Sequence, residues 1–278
     1  MKLRSIWLAA ALSTATSVSW AQELAPKETS CRSGTLASVP SRPTVSNGAD
    51  TTQCGVMEVE YGFDHQWTQG NAHVNDLAGG LRVGILPNLD FHWTSTSFLN
   101  IMDQDGNRTG FGDTWVGVKY HFISQTRHLP AVGVFYQSKL PSASASDELG
   151  SGQVDHSLSL LFSKDVSRLH FDFNVIPYLA GRPTAPGCDH NTGFALSGSM
   201  PITRRLSLAG EGYGYTALNS ASPAFASTMI GTTYQVEPRL IFDGGVDLGV
   251  SAQAPRARLY VGLTYAIANV YRWFASSE

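Results

Sequence analysis

The sequence predicts an all-β fold, a 12-stranded antiparallel transmembrane β-barrel, and three observations carry that expectation. An export signal opens the chain. From Gly55 to Ile267 apolar and polar residues alternate with a period of two. The connections between the alternating stretches are short and long in strict turn, as antiparallel strands require when their turns face one side of a membrane and their loops the other. In hydrocarbon every backbone amide must be paired, and a closed sheet has no edge. A soluble sheet would need a second layer over its apolar faces, and the sequence offers no amphipathic helix to supply one.

Lys2 and Arg4 precede an apolar run from Ile6 to Ala15, and small residues follow to Ser19 and Ala21, which suit the −3 and −1 positions of a cleavage site before Gln22. The run falls short of the roughly 20 residues of a spanning helix, so 1–21 reads as a signal peptide, and the mature chain is expected in the outer membrane of a Gram-negative bacterium. Cleavage would remove two cations from a chain of formal charge −3. This acidity, with no basic stripe, argues against a nucleic-acid partner. Residues 22–54 have no period and three prolines, and read as an irregular periplasmic segment or a plug. Within them Cys31 and Cys54 could close a loop, a bridge typically worth about 2–4 kcal/mol. Cys188 is left over, with its pairing open.

The barrel is expected over 55–267. In GVMEVEYGFDHQW, Met57, Val59, Tyr61, Phe63 and Trp67 oppose Glu58, Glu60, Asp64 and Gln66. LAGGLRVGIL, LDFHWTSTSF, GFGDTWVGVKYHF and AVGVFYQSKL repeat the pattern, with Val116, Val118, Tyr120 and Phe122 set against Asp113, Trp115, Lys119 and His121 in the third of them. Seven more follow, clearest where Leu169, Phe171, Phe173 and Val175 oppose His170, Asp172 and Asn174, and where Leu240, Phe242, Val246 and Leu248 oppose Arg239, Asp243 and Asp247. Short turns are expected at 87–88, 125–130, 164–168, 201–205 and 236–238, and longer loops at 68–76, 100–112, 141–153, 181–191, 217–223 and 251–257. The tail 268–278 brings Tyr271, Trp273 and Phe274, an interfacial anchor or an assembly signal.

Parity places Glu58, Glu60, Asp64, Arg82, Lys119, His121, Lys139, Asp155, His170, Asp172, Glu211, Arg239, Asp243, Asp247 and Arg258 toward the lumen as candidate pore-lining residues. Buried charges are costly unless paired, so these groups are expected to pair or to touch water. Either they set the selectivity of a permeation path or they form an ion-pair network filling a closed barrel. Twelve strands lie between the side-chain-filled interior of about eight and the aqueous channel of 16–18, so the lumen should be narrow or partly blocked by 22–54. Val118→Arg should then block assembly, whereas Lys119→Glu should leave it intact and alter ion selectivity.

Other chemistry finds little support. Asp103, Asp105, Asn107 and Asp113 are spaced somewhat like a calcium loop, but the glycine and glutamate that such a loop needs are missing, and a turn at Asp105-Gly106 is expected instead. Cys188-Asp189-His190 are adjacent in sequence and converge poorly on a metal. Gly79-Gly80 and Gly150-Ser151-Gly152 lack the G-K-[ST] continuation of a phosphate cradle, and read as bulges, turns or close packing. A lipid hydrolase is disfavoured because no G-x-S-x-G occurs and Asp155 and Ser157 point away from His156. No metal site, cofactor or catalytic residue is expected, and oligomeric state is open.

Three blocks carry a family likeness through their order and spacing. They are Gly110-Phe111-Gly112-Asp113 running into Lys119-Tyr120-His121-Phe122; Lys139-Leu140-Pro141 followed by Leu149-Gly150-Ser151-Gly152 and Asp155; and the strands Arg239 to Gly249 and Tyr260 to Ile267. Together they resemble the family of outer-membrane transporters named after the meta-pathway of phenol degradation. Pro141-Ser142-Ala143 stands where that family has P-T-G. The resemblance implies an outer-membrane channel for passive uptake of small hydrophobic or aromatic solutes, with lipid and a small-molecule solute as partners, and it transfers no functional residues. The alternative is a structural or ligand-binding barrel without an open pore, although its loops are short for adhesion.

Overall fold

The computed structural model describes residues 31–32 and 36–275, with side chains as far as Arg272. The expected signal peptide at 1–21, and the side chains of Trp273 and Phe274, lie outside the described residues. The strands are β1 (Val56–Trp67), β2 (His73–Leu86), β3 (Leu89–Asp103), β4 (Gly106–Gly110), β5 (Thr114–Ile123), β6 (Ala131–Leu140), β7 (Asp155–Val166), β8 (Leu169–Gly181), β9 (Cys188–Pro201), β10 (Leu206–Tyr215), β11 (Phe225–Glu237), β12 (Leu240–Gly249) and β13 (Ala257–Asn269), followed by the short helix α1 (Val270–Ala275).

Neighbouring strands pair antiparallel throughout, and β1 pairs with both β2 and β13, so the sheet closes. β4 pairs with the loop end of β3 and β5 with its turn end. The two therefore share one place in the wall, interrupted at 111–113, and the barrel has 12 strands.

The wall is taller than the hydrophobic pattern foretold. β2 begins at His73 and β3 runs to Asp103, inside stretches expected as loops, and β4 crosses the expected loop 100–112. β9 begins at Cys188 and β13 continues to Asn269. Apolar alternation stops where lipid contact stops, but backbone pairing continues, here helped by side chains: His65 Nδ1 lies 2.6 Å from Asn75 Oδ1, and Asn75 Nδ2 donates to Asn100 Oδ1 at 3.2 Å. The expected turn at Asp105-Gly106 is a tight hairpin with Gly106 at φ 129°, and Asp103 accepts the Asp105 N–H at 2.9 Å.

Parity divides the wall as the chemistry requires. Val118 is 40% exposed on the outside, and its neighbour Lys119 is 3% exposed on the inside. The same alternation leaves Phe91, Trp93, Leu158, Phe173, Phe242 and Val261 facing outward. The turns and both ends of the barrel chain lie at one end. There Cys31 and Cys54 form a disulfide, Cys54 bridges to Gly84, and Tyr271 Oη donates to the Ile85 carbonyl at 2.8 Å. Cys188 is free and exposed.

Candidate functional site

The interior is organised by the segment before β1. Residues 38–54 run inside the barrel from the β11–β12 turn, where Ser38 N–H donates to Pro238 O at 2.8 Å, around the wall to β2. An irregular strand of chain brings its own backbone donors into a closed space, and they need acceptors. The inward side chains supply them. Val39 N–H donates to Glu58 at 2.8 Å and Ser41 N–H to Glu60 at 2.9 Å. Val45 and Ser46 N–H both donate to Glu211, at 2.7 and 2.6 Å. Asn47 exchanges two bonds with Asn174, at 2.7 and 2.9 Å. Ala49 N–H donates to Ser163 Oγ at 2.7 Å and Thr52 N–H to Asp90 at 2.6 Å. Lys119 Nζ donates to the carbonyls of Gly48 and Asp50, at 3.4 and 3.1 Å, and His121 Nδ1 lies 3.0 Å from that of Ala49. These partners stand between the turn end and the middle of their strands. Ala49 also joins Ala131, Phe135 and Leu161 in a small apolar cluster.

Ion pairs complete this belt. Arg82 lies 2.9 Å from Glu58 and 3.1 Å from Glu60. Arg42, from the inner segment, lies 3.1 Å from Asp243 and 3.7 Å from Asp64. His92 pairs with Asp90 at 2.9 Å, and Ser163 Oγ donates to Asp172 at 2.5 Å.

The half nearest the loops is built differently. Trp115, Tyr178, Tyr213, Tyr215, Phe225 and Tyr260 share the inward parity of Lys119, Asp172, Glu211 and Arg258 and stand within a few residues of the loop ends of their strands. Phe225 stacks on Tyr215 at 5.4 Å and meets Tyr213 edge-on at 6.4 Å, and Trp115 lies 6.4 Å from Tyr178. Tyr178 and Tyr213 keep their hydroxyls bonded to wall carboxylates, Asp155 at 2.6 Å and Asp247 at 2.5 Å. Lys139 holds Asp155 at 2.6 Å, Asp113 at 3.2 Å and Ser151 Oγ at 2.7 Å, which ties loop 141–154 to the wall. Arg258 joins Asp64 and Asp247, at 3.4 and 3.2 Å.

The predicted lumen residues thus fall into separate groups. Glu58, Glu60, Arg82, Lys119, His121, Glu211 and Asp243 meet the inner segment; Asp64, Asp247 and Arg258 link it to the aromatic half; Lys139 and Asp155 lie near the loops. His170 sits toward the turn end, between Asp165 and Asp172 at 2.7 and 3.2 Å, with its side chain 40% exposed. Arg239 corrects the parity reading: its guanidinium lies over the Tyr265 ring and donates to the carbonyls of Ala266 and Ile267 at 2.9 and 2.5 Å. It stands one residue before β12 begins, where the pleat no longer fixes its direction.

The sequence reading missed Arg42, which sits on a segment without period. It also left Asp90, His92 and the aromatic collar, Trp115 included, out of the candidate pore-lining residues, although parity alone places them inside. Among the described residues no group of His, Cys, Asp and Glu suits a metal ion.

A family model described as "Putative MetA-pathway of phenol degradation" matches residues 40–267. The solved COG4313 outer membrane channel from Pseudomonas putida F1 is similar at 12% identity and a TM-score of 0.60, over 84% of this chain and 99% of that one. The NanC porin is similar at 12% identity and 0.53, over 76% and 100%, and the translocator domain of the autotransporter NalP from Neisseria meningitidis at 11% and 0.52, over 76% and 88%. At such identities the likeness is one of fold, that of outer-membrane barrels. No curated protein matches the chain.

Proposed function

The chain belongs to the family described as "Putative MetA-pathway of phenol degradation", and we propose that it is an outer-membrane channel for the passive entry of small aromatic or otherwise hydrophobic solutes. The observation that carries this reading is the collar of Trp115, Tyr178, Tyr213, Tyr215 and Phe225 at the loop end of the lumen, above a belt whose polar groups are already taken by the inner segment. Ring faces attract planar apolar solutes, and the ordered hydroxyls of Tyr178 and Tyr213 keep them oriented. A solute would settle there from outside and pass when the inner segment yields, driven by its gradient, with no cofactor.

The test is uptake into liposomes carrying the purified protein, comparing phenol with a sugar. Faster entry of phenol, reduced by Phe225→Ala, supports the reading; equal entry of both, untouched by Phe225→Ala, overturns it. Occupation of the turn half by the inner segment favours a second reading, a ligand-binding barrel that never opens. In that case phenol binds but is not taken up.

A further inference from the structure

Arg42 is the only arginine that the inner segment places against the wall among residues 36–54, and the wall is shaped for it. Gly62 of β1 and Gly262 of β13 face each other in register. A Cβ added at Gly62 would stand 2.3 Å from Arg42 Cζ and 2.5 Å from both its terminal nitrogens, and one added at Gly262 would stand 2.5 Å from Nε. Both side chains are therefore absent where the guanidinium lies. Asp243 and Asp64 flank it at 3.1 and 3.7 Å, and the Tyr260 ring lies beneath it at 5.8 Å from Cζ. A flat cation between two glycines, two carboxylates and an aromatic face is held by shape as well as charge.

We propose that this glycine-floored seat is a latch, and that Arg42 is the positioning residue whose seating holds the inner segment across the lumen. The other tethers are mostly bonds from the segment's backbone, which form wherever the chain lies close to the wall. Arg42, the one cation of residues 36–54, fixes a side chain in a slot with one register. When Arg42 leaves the seat, the stretch from Ser41 to Ser46 loses its fixed point and moves away from Glu211. That this matters for passage rests on the channel reading given above; the latch itself does not.

The test uses the full mature chain carrying Cys188→Ser and a reporter, Ser46→Cys, at a position 1% exposed. Its labelling by a water-soluble maleimide reports release of the segment, and ion conductance in planar bilayers reports passage. Heat-modifiable mobility on gels confirms that each variant folds. Arg42→Ala should raise the labelling rate about tenfold, and Gly62→Ala should do the same because its new methyl group occupies the seat. The two together should add nothing to either alone, and Arg42→Lys, which keeps the charge without the planar fork, should fall between. Unchanged labelling in Arg42→Ala overturns the latch, as does a Gly62→Ala effect that adds to it. Faster labelling without any rise in conductance keeps the latch and overturns the channel reading.

Discussion

The two halves of the lumen meet the same difficulty, polar groups inside a closed sheet, with different partners. Near the turns, Glu58, Glu60, Glu211, Asp90 and Lys119 are satisfied by the backbone of the inner segment, so that half is filled by the protein's own chain. Near the loops, carboxylates are satisfied by Lys139, Arg258 and two tyrosine hydroxyls, all from the wall, and of the rings beside them only Tyr260 lies under the inner segment, beneath Arg42. An acceptor already holding two amides has little to offer a passing ion. A half-buried ring at the mouth still has part of its apolar face to offer a solute. Selectivity on this account lies in the aromatic half and closure in the polar half.

The largest effect should come from deleting residues 22–54, which removes every backbone donor from the belt at once. Conductance should rise while the aromatic half keeps its affinity for phenol; loss of both would merge the two halves into one unit. Next, Val118→Arg places a charge on the outer face at a cost of about 2–4 kcal/mol at mid-bilayer depth, and should abolish heat-modifiable folding. Lys119→Glu, one residue on, should fold, but not with the simple change in ion selectivity that the sequence alone suggested. Lys119 donates to the Gly48 and Asp50 carbonyls, so a glutamate there faces acceptors and frees the segment, measurable as faster labelling of Ser46→Cys. Glu211→Ala leaves the Val45 and Ser46 amides unpaired, at about 1–3 kcal/mol, and should speed that labelling without touching phenol binding. Smallest is Tyr215→Ala, which removes one stacked ring and should weaken phenol binding by about 0.5–1.5 kcal/mol with conductance unchanged.

The wall was legible because lipid imposes a pattern on it: each of the twelve expected strands lies on a strand of the barrel, since one face of each had to be apolar. Its height was not, because above the lipid only backbone pairing continues and polar residues such as Asn75 and Asn100 carry no period. The inner segment was legible as irregular and as a possible plug, but its path was hidden. It follows acceptors spread over β1, β3, β7, β8 and β10, which no local spacing can show. Arg239 shows where parity ends, at the rim, where the pleat gives way to a turn.

The most direct test is single-channel conductance of the refolded mature protein with and without residues 22–54. The account predicts a low, flickering or absent conductance in the intact chain and a steady, larger one after deletion. Equal conductance in both forms, with folding confirmed, would contradict it, because the inner segment would then not be what closes the lumen.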